Sequence, residues 1–180
     1  MSSYFYQNSN RLLYRKLGEK DIPSWVAFFE KNANLNFLGL DLSIKKEILA
    51  RDWILKQLNR YEAQGLGHLA VEEKATGDFI GMGGILPRLL AGENVFEIAY
   101  SLKPAYWGKG YGTEIAIQMK QFGFRTQLSN RFVSIIHQDN LASMRVAEKN
   151  GMQVAFETNY LGMEVYVYET KPLSENIPKA

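Results

Sequence analysis

The segment Trp107-Gly108-Lys109-Gly110-Tyr111-Gly112-Thr113 has the composition of an anion-binding turn. It lies between a predicted strand and a predicted helix, where backbone N–H groups and the positive end of the helix can face one anion. Gly110 and Gly112 have no Cβ atom, so a pyrophosphate can lie directly against the backbone. The spacing excludes a Walker P-loop and a Gly-x-Gly-x-x-Gly dinucleotide fingerprint. A plain sharp turn with a solvated Lys109 explains the same residues, so this segment alone leaves both interpretations open.

A second candidate segment begins at Asn140 and ends at Met152. A predicted strand ends at His137, and Asp139-Asn140 is a typical start of a helix, with Ser143 one turn inside it. An amphipathic helix capped by an Asp or Asn side chain accounts for these residues without any ligand.

Glu97 is the candidate for proton transfer. It lies in a predicted strand at residues 95–102, whose alternation places it on one face with Val95, Ala99 and Ser101. Partial burial beside these small and apolar side chains would raise the pKa of Glu97 toward neutrality and suit it to accept a proton. A solvent-facing strand glutamate is the alternative.

These segments resemble the signatures of the GNAT superfamily of N-acetyltransferases. Residues 104–114 look like the acetyl-CoA loop, whose pattern is Gln/Arg-x-x-Gly-x-Gly/Ala, and Trp107 occupies the Gln/Arg position. That replacement, after Pro-x-Tyr, is similar to the Rim-type branch of ribosomal-protein alanine N-acetyltransferases. Residues 140–152 are similar to the family string Asn-x-x-Ala/Ser-x-x-Leu-Tyr-Glu-Lys-x-Gly-Phe, and residues 96–100 resemble its Glu-Ile-Gly-Tyr strand. The resemblance covers approximately residues 72–169.

The resemblance implies an N-acetyltransferase that uses acetyl-CoA as co-substrate and needs no metal. It implies that Glu97 is the general base, directly or through a water, and that the amine attacks the thioester in a ternary complex. Ala147 stands where many members have a tyrosine, so Ser143 is the implied proton donor to the thiolate; a cofactor-contacting hydroxyl is its alternative role. The implied cofactor-binding residues are Tyr100, Ser101, Leu102, Trp107, Gly108, Lys109, Gly110, Tyr111, Gly112, Thr113, Asn140, Ser143 and Lys149.

The hydrophobic patterns predict the elements that position these segments. Strands are predicted at 11–17, 68–73, 79–86, 95–102, 132–137, 152–158 and 164–169, and the longer helices at 43–64, 113–128 and 141–149. Residues 87–94 are predicted as a loop, and the first ten and last eight residues as frayed ends. This order predicts one α/β domain over residues 1–180, with a mixed, mostly antiparallel central sheet and helices on both faces, as in the GNAT fold.

The composition argues against several other classes of protein. The net charge is +2 with dispersed basic residues, which argues against a nucleic-acid partner, and no apolar run could cross a membrane. There is no cysteine and there are only two histidines, which disfavours disulfides and metal sites. The cytoplasm is the default location, and the sequence leaves undecided whether the protein forms a homodimer.

Three functions remain: an acetyltransferase of a protein N-terminal amine, one of a small molecule such as a polyamine or aminoglycoside, and a non-catalytic acyl-CoA sensor. The acceptor pocket is expected between residues 21–64 and the segment 87–94.

Overall fold

The computed structural model describes residues 3–170, which form one eight-stranded sheet. The strands are β1 (Tyr6–Asn8), β2 (Leu12–Arg15), β3 (Gly67–Glu73), β4 (Phe79–Leu90), β5 (Glu93–Leu102), β6 (Val133–His137), β7 (Met152–Tyr160) and β8 (Met163–Thr170). Their order across the sheet is β1-β2-β3-β4-β5-β6-β8-β7. All neighbouring strands are antiparallel except β5 and β6, which are parallel. The predicted mixed, mostly antiparallel sheet is therefore confirmed.

Helices cover both faces of the sheet. They are α1 (Ile22–Trp25), α2 (Lys46–Gln64), α3 (Tyr111–Arg125) and α4 (Leu141–Lys149), with short 3-10 turns at Glu19–Asp21, Val26–Phe29, Ala33–Leu38 and Pro104–Tyr106. Gly83 of β4 lies against Ile115 of α3, whereas the ring of His68 stacks on Trp53 of α2. Because His68 is paired with Gly84, the residue next to Gly83, the two helices lie on opposite faces. The three longer helices lie where the sequence predicted them, within three residues at each end.

The predicted loop at residues 87–94 is wrong, because β4 and β5 continue through it as a hairpin. The turn consists of Ala91 and Gly92, with φ of 49° and 84°, which is the left-handed pair that fits the twist of a hairpin. Pro87 was the misleading signal. It is tolerated because β3 pairs with β4 only as far as Ile85, so beyond that point β4 is an edge strand, where a missing N–H need not break a ladder.

The predicted fraying of the first ten residues is also wrong for the part that the structure describes. The strand β1 pairs with β2, and Tyr4 is buried, with its hydroxyl bonded to the carbonyl oxygen of Gly67. The N–H of Ile85 donates to the same hydroxyl at 2.8 Å. The predicted fraying at residues 173–180 lies outside the described residues.

A gap opens between β5 and β6, and it positions the candidate site. The two strands share one register pair, Glu97 with Val133, and the Ser134 hydroxyl then donates to the carbonyl oxygen of Ile98 at 2.9 Å. Within residues 3–170, β5 and β6 have no further register pair after Glu97 and Val133. Backbone groups of β5 that point toward β6 beyond Ile98 are therefore left without a strand partner and can meet a ligand.

Candidate functional site

The glycine-rich turn presents open backbone to the gap. Gly108 and Gly110 have φ of 73° and 79°, a conformation that favours glycine, and a Cβ atom on Gly108 would meet nothing within 4 Å. The helix α3 begins directly after Gly110, which serves as its N-cap. The first-turn N–H groups of a helix have no intrahelical acceptor, so this geometry suits an anion such as a pyrophosphate.

Arg11, far away in the sequence, holds this turn in place. Its Nη1 donates to the carbonyl oxygen of Lys109 at 2.9 Å, its Nε donates to Oε2 of Glu114 at 2.7 Å, and its guanidinium lies 4.4 Å from the centre of the Tyr111 ring. Oε1 of Glu114 also accepts from the Ser9 hydroxyl. Partial burial alone would raise the pKa of Glu114, but the hydrogen bonds from Ser9 and Arg11 hold it below its usual value. Sequence reasoning missed Arg11, because nothing near it indicates a partner about a hundred residues later.

The helix α4 forms the opposite wall. Asn140 caps it as predicted, since its Oδ1 accepts from the N–H of Ser143 at 3.1 Å. Arg145 and Lys149 both line the cleft and are four residues apart, hence on one face of the helix. Two cations there can neutralise phosphate groups. Arg145 was not predicted, although its spacing from Lys149 would have indicated it.

Tyr100 and Ser143 meet between β5 and α4. The Ser143 hydroxyl lies close to that of Tyr100, and burial raises the pKa of Tyr100 to about 12 even though the Ser143 hydroxyl opposes the rise. The Tyr100 ring also lies against Gly112, where a Cβ atom would be 3.2 Å from it. Two residues predicted from separate motifs are thus in direct contact.

One cavity of about 340 Å³ joins these walls. The predicted residues that line it are Tyr100, Ser101, Leu102, Trp107, Gly108, Gly110, Tyr111, Gly112, Thr113, Asn140, Ser143 and Lys149. The lining residues that were not predicted are Phe28, Asn32, Asn34, Leu38, Tyr106, Ala142, Arg145 and Val146. Lys109 is not in the lining; its Nζ lies 5.0 Å from the centre of the Tyr106 ring.

Glu97 lies outside that lining, at the closed end of the gap. It is 7% exposed, but its surroundings are not the small and apolar ones that the strand pattern predicted, because Nε of Arg88 donates to its Oε2 at 2.7 Å. The predicted apolar setting is therefore wrong, and a role as base would depend on the position of Glu97 next to the gap.

Comparisons with known proteins agree with this geometry. A family model described as "Acetyltransferase (GNAT) domain" matches residues 11–153. The chain is 31% identical to the uncharacterized protein YkkB of Bacillus subtilis over 128 residues, which is 71% of this chain and 74% of that protein.

Among solved structures, an acetyltransferase from Agrobacterium tumefaciens is similar with a TM-score of 0.76 and 25% identity, over 92% of this chain and 94% of that one. The ribosomal-protein-S5-alanine acetyltransferase from Vibrio fischeri has the same fold, with a TM-score of 0.70 and 15% identity over 96% and 99% of the two chains. Within residues 3–170 no helix is long and apolar enough to span a bilayer.

Proposed function

The chain belongs to the GNAT acetyltransferase family, and from this premise we propose that it acetylates the α-amine of a protein N-terminus. Its activity is acetyl transfer from acetyl-CoA, which supplies the acetyl group as a thioester. The observation that carries the proposal is the gap between β5 and β6. The glycine turn and α4 line a cavity on one side of this gap, and Glu97 lies where the gap closes.

The α3 and α4 side of the gap would hold acetyl-CoA. Backbone N–H groups of the turn at Gly108–Gly112 and of the first turn of α3 would hold the pyrophosphate. Arg145 and Lys149 would add cationic charge beside the other phosphate groups. The unpaired backbone of β5 at residues 99–101 would direct the pantetheine arm and donate an N–H to the thioester oxygen, where negative charge develops.

The acetyl transfer would proceed by direct attack in a ternary complex. Glu97 would take the proton of the ammonium group, directly or through a water. The nitrogen lone pair then forms the N–C bond as the C–S bond breaks, and the thiolate leaves. Ser143, which lines the cavity beside the partly buried Tyr100, would give the thiolate its proton. Holding amine and thioester together supplies much of the rate enhancement, up to about 7–11 kcal/mol.

An N-terminal amine is favoured over a polyamine or aminoglycoside by the charges on the acceptor side. A polycation would need several acidic groups, whereas Glu97 is ion-paired with Arg88, and Lys56 and Arg60 of α2 lie close by. The cavity also extends to the amides of Asn32 and Asn34, which suit a peptide backbone. The alanine acetyltransferase among the structural neighbours agrees with this choice.

An acetyl-CoA turnover assay against peptides and small amines tests the proposal. We expect peptides with a free N-terminus to be acetylated at the α-amine, located by mass spectrometry, and the same peptides with a blocked N-terminus and an internal lysine to be inert. Double-reciprocal plots should intersect. Acetylation of polyamines alone, or a ping-pong pattern with a trapped acetyl-enzyme, would contradict the proposal.

A further inference from the structure

Three cationic side chains gather on the α2 face of the sheet, beside Glu97. Lys56 and Arg60 are four residues apart on α2 and therefore on one helix face, and Arg88 lies on β4. Arg60 reaches the sheet through Gln57, whose Oε1 accepts from Nη1 of Arg60 at 3.2 Å and from the backbone N–H of His68 at 3.1 Å, and His68 pairs with Gly84 of β4. Burial, and then repulsion from Arg88, lowers the pKa of Arg60. We call Lys56, Arg60 and Arg88 the cation cluster.

The cluster is short of negative charge. Arg88 is paired with Glu97 at 2.7 Å, and Nη1 of Arg60 donates to the neutral Oε1 of Gln57 at 3.2 Å. Within residues 3–170 neither Lys56 nor Arg60 forms an ion pair. A half-buried guanidinium without a carboxylate is costly, and an anionic ligand would remove that cost.

The cluster lies beside the predicted reacting centre. Glu97 is on the same face of β5 as Ala99, two residues or about 7 Å along the strand. An extended peptide advances about 3.3–3.6 Å per residue, so a peptide whose amine is at the thioester reaches the cluster with its second or third residue.

On the premise of the proposed function, we propose that the cation cluster binds an acidic side chain at the second or third position of the acceptor peptide. Arg60 is the central donor, because it is half-buried and lacks an anionic partner. The amine would lie toward Glu97 and the acidic group toward Arg60, so the same cluster orients the acceptor and rejects polycations.

The test compares acceptor peptides that differ by one charge. Steady-state kinetics with saturating acetyl-CoA are measured for peptides with Asp or Glu at positions 2 and 3, their Asn or Gln counterparts, and Lys counterparts. Free amino acids and their amides form a second arm. The variants are Arg60→Gln and, as a matched control on the same helix, Arg51→Gln, because Arg51 is exposed and pairs only locally with Asp52.

We expect kcat/KM to be about ten- to hundred-fold higher for the acidic peptides than for their amides, the usual size of a charge-assisted hydrogen bond. Arg60→Gln should abolish most of that preference, because kcat/KM falls further for the acidic peptides than for the amide peptides, and Arg51→Gln should retain it. Equal use of acidic and amide peptides by the wild-type enzyme, or a preference that survives Arg60→Gln, overturns the inference.

The failure of the proposed function is separable from this result. If peptides are inert but free amino acids are acetylated in preference to their amides, and Arg60→Gln removes that preference, the α-amine proposal for proteins fails and the anion site is supported. If only polyamines react, both fail. If no acceptor reacts, the binding affinities of the acidic and amide peptides for the enzyme saturated with CoA are compared by calorimetry. Equal affinities would overturn the proposed anion site.

Discussion

At the scale of single residues, the proposed chemistry would depend on two side-chain pairs on opposite faces of β5. Nε of Arg88 donates to Oε2 of Glu97 on the α2 face, and Ser143 lies beside the phenol of Tyr100 on the α3 face. The α-amine has an ordinary pKa of about 8, so a positioned carboxylate needs only to remove a proton from a moderately acidic ammonium group.

Glu97→Gln should leave acetyl-CoA affinity unchanged and lower turnover about 10²–10⁴-fold, the usual contribution of a general base. The loss should shrink at high pH, where more of the amine is already deprotonated. Glu93→Gln is the matched control, because Glu93 is an exposed glutamate of the same strand that also pairs with an arginine at 2.7 Å. Wild-type activity of Glu97→Gln across a pH–rate profile would show that the base is a water or another residue.

Ser143→Ala should cost less turnover than Glu97→Gln in the same pH–rate profile. A thiol has an ordinary pKa of about 8.5, so the departing thiolate needs little help from an acid. A larger loss than that of Glu97→Gln would contradict this ranking.

At the scale of elements, the glycine turn before α3 is held by bonds from distant parts of the fold. Arg11, just before β2, bonds to the turn and to Glu114 of α3, and the hydroxyl of Tyr111 bonds to Glu73 of β3. The backbone amides are thus oriented before any ligand binds, which lowers the entropic cost of binding.

Gly110→Val tests whether this turn holds acetyl-CoA. It places a branched side chain where the pyrophosphate would lie and imposes strain at a φ of 79°. Gly77→Val is the control, because Gly77 has a φ of 76°, has open space around its Cβ direction and lies in the β3–β4 turn. We expect calorimetry to show weaker acetyl-CoA binding by at least about tenfold for Gly110→Val alone, with similar losses of stability in both. Unchanged affinity in a folded Gly110→Val variant would remove this loop from the cofactor site.

The elements also show what could be predicted from sequence. Local signals were sufficient for the glycine turn before α3, the Asn140 cap and seven of the eight strands, because each depends on residues close together in the chain. The helix α3 begins at Tyr111, two residues earlier than predicted, and β1 was not predicted. Contacts that depend on strand register could not be predicted. Arg88 meets Glu97 because β4 continues through Pro87 and pairs with β5, whereas the sequence predicted a loop there. Arg11 likewise reaches α3 only because the sheet brings distant segments together.

At the scale of the whole molecule, the sheet separates two environments. The α3 and α4 side has the glycine turn and the cations that line the cavity, and the α2 side has the cation cluster and a buried histidine, His68. Its ring stacks on Trp53, its backbone N–H donates to Oε1 of Gln57, and within residues 3–170 neither ring nitrogen has a hydrogen-bond partner. Burial, with Arg88 and Arg60 adding repulsion, lowers the pKa of His68 to about 3.

This buried histidine should make the protein sensitive to mild acid. The unfolded chain binds a proton at His68 below pH 6.5, whereas the folded protein does so only near pH 3, so stability falls as the pH drops through that window and is unaffected above it. The slope is about 1.4 kcal/mol per pH unit, or about 2 kcal/mol between pH 7.5 and pH 5. Urea denaturation should show that His68→Phe removes this loss, while His137→Phe, a partly exposed histidine on β6, retains it. An identical pH dependence in wild type and His68→Phe would mean that the ring is protonated in the folded protein as readily as in the unfolded chain.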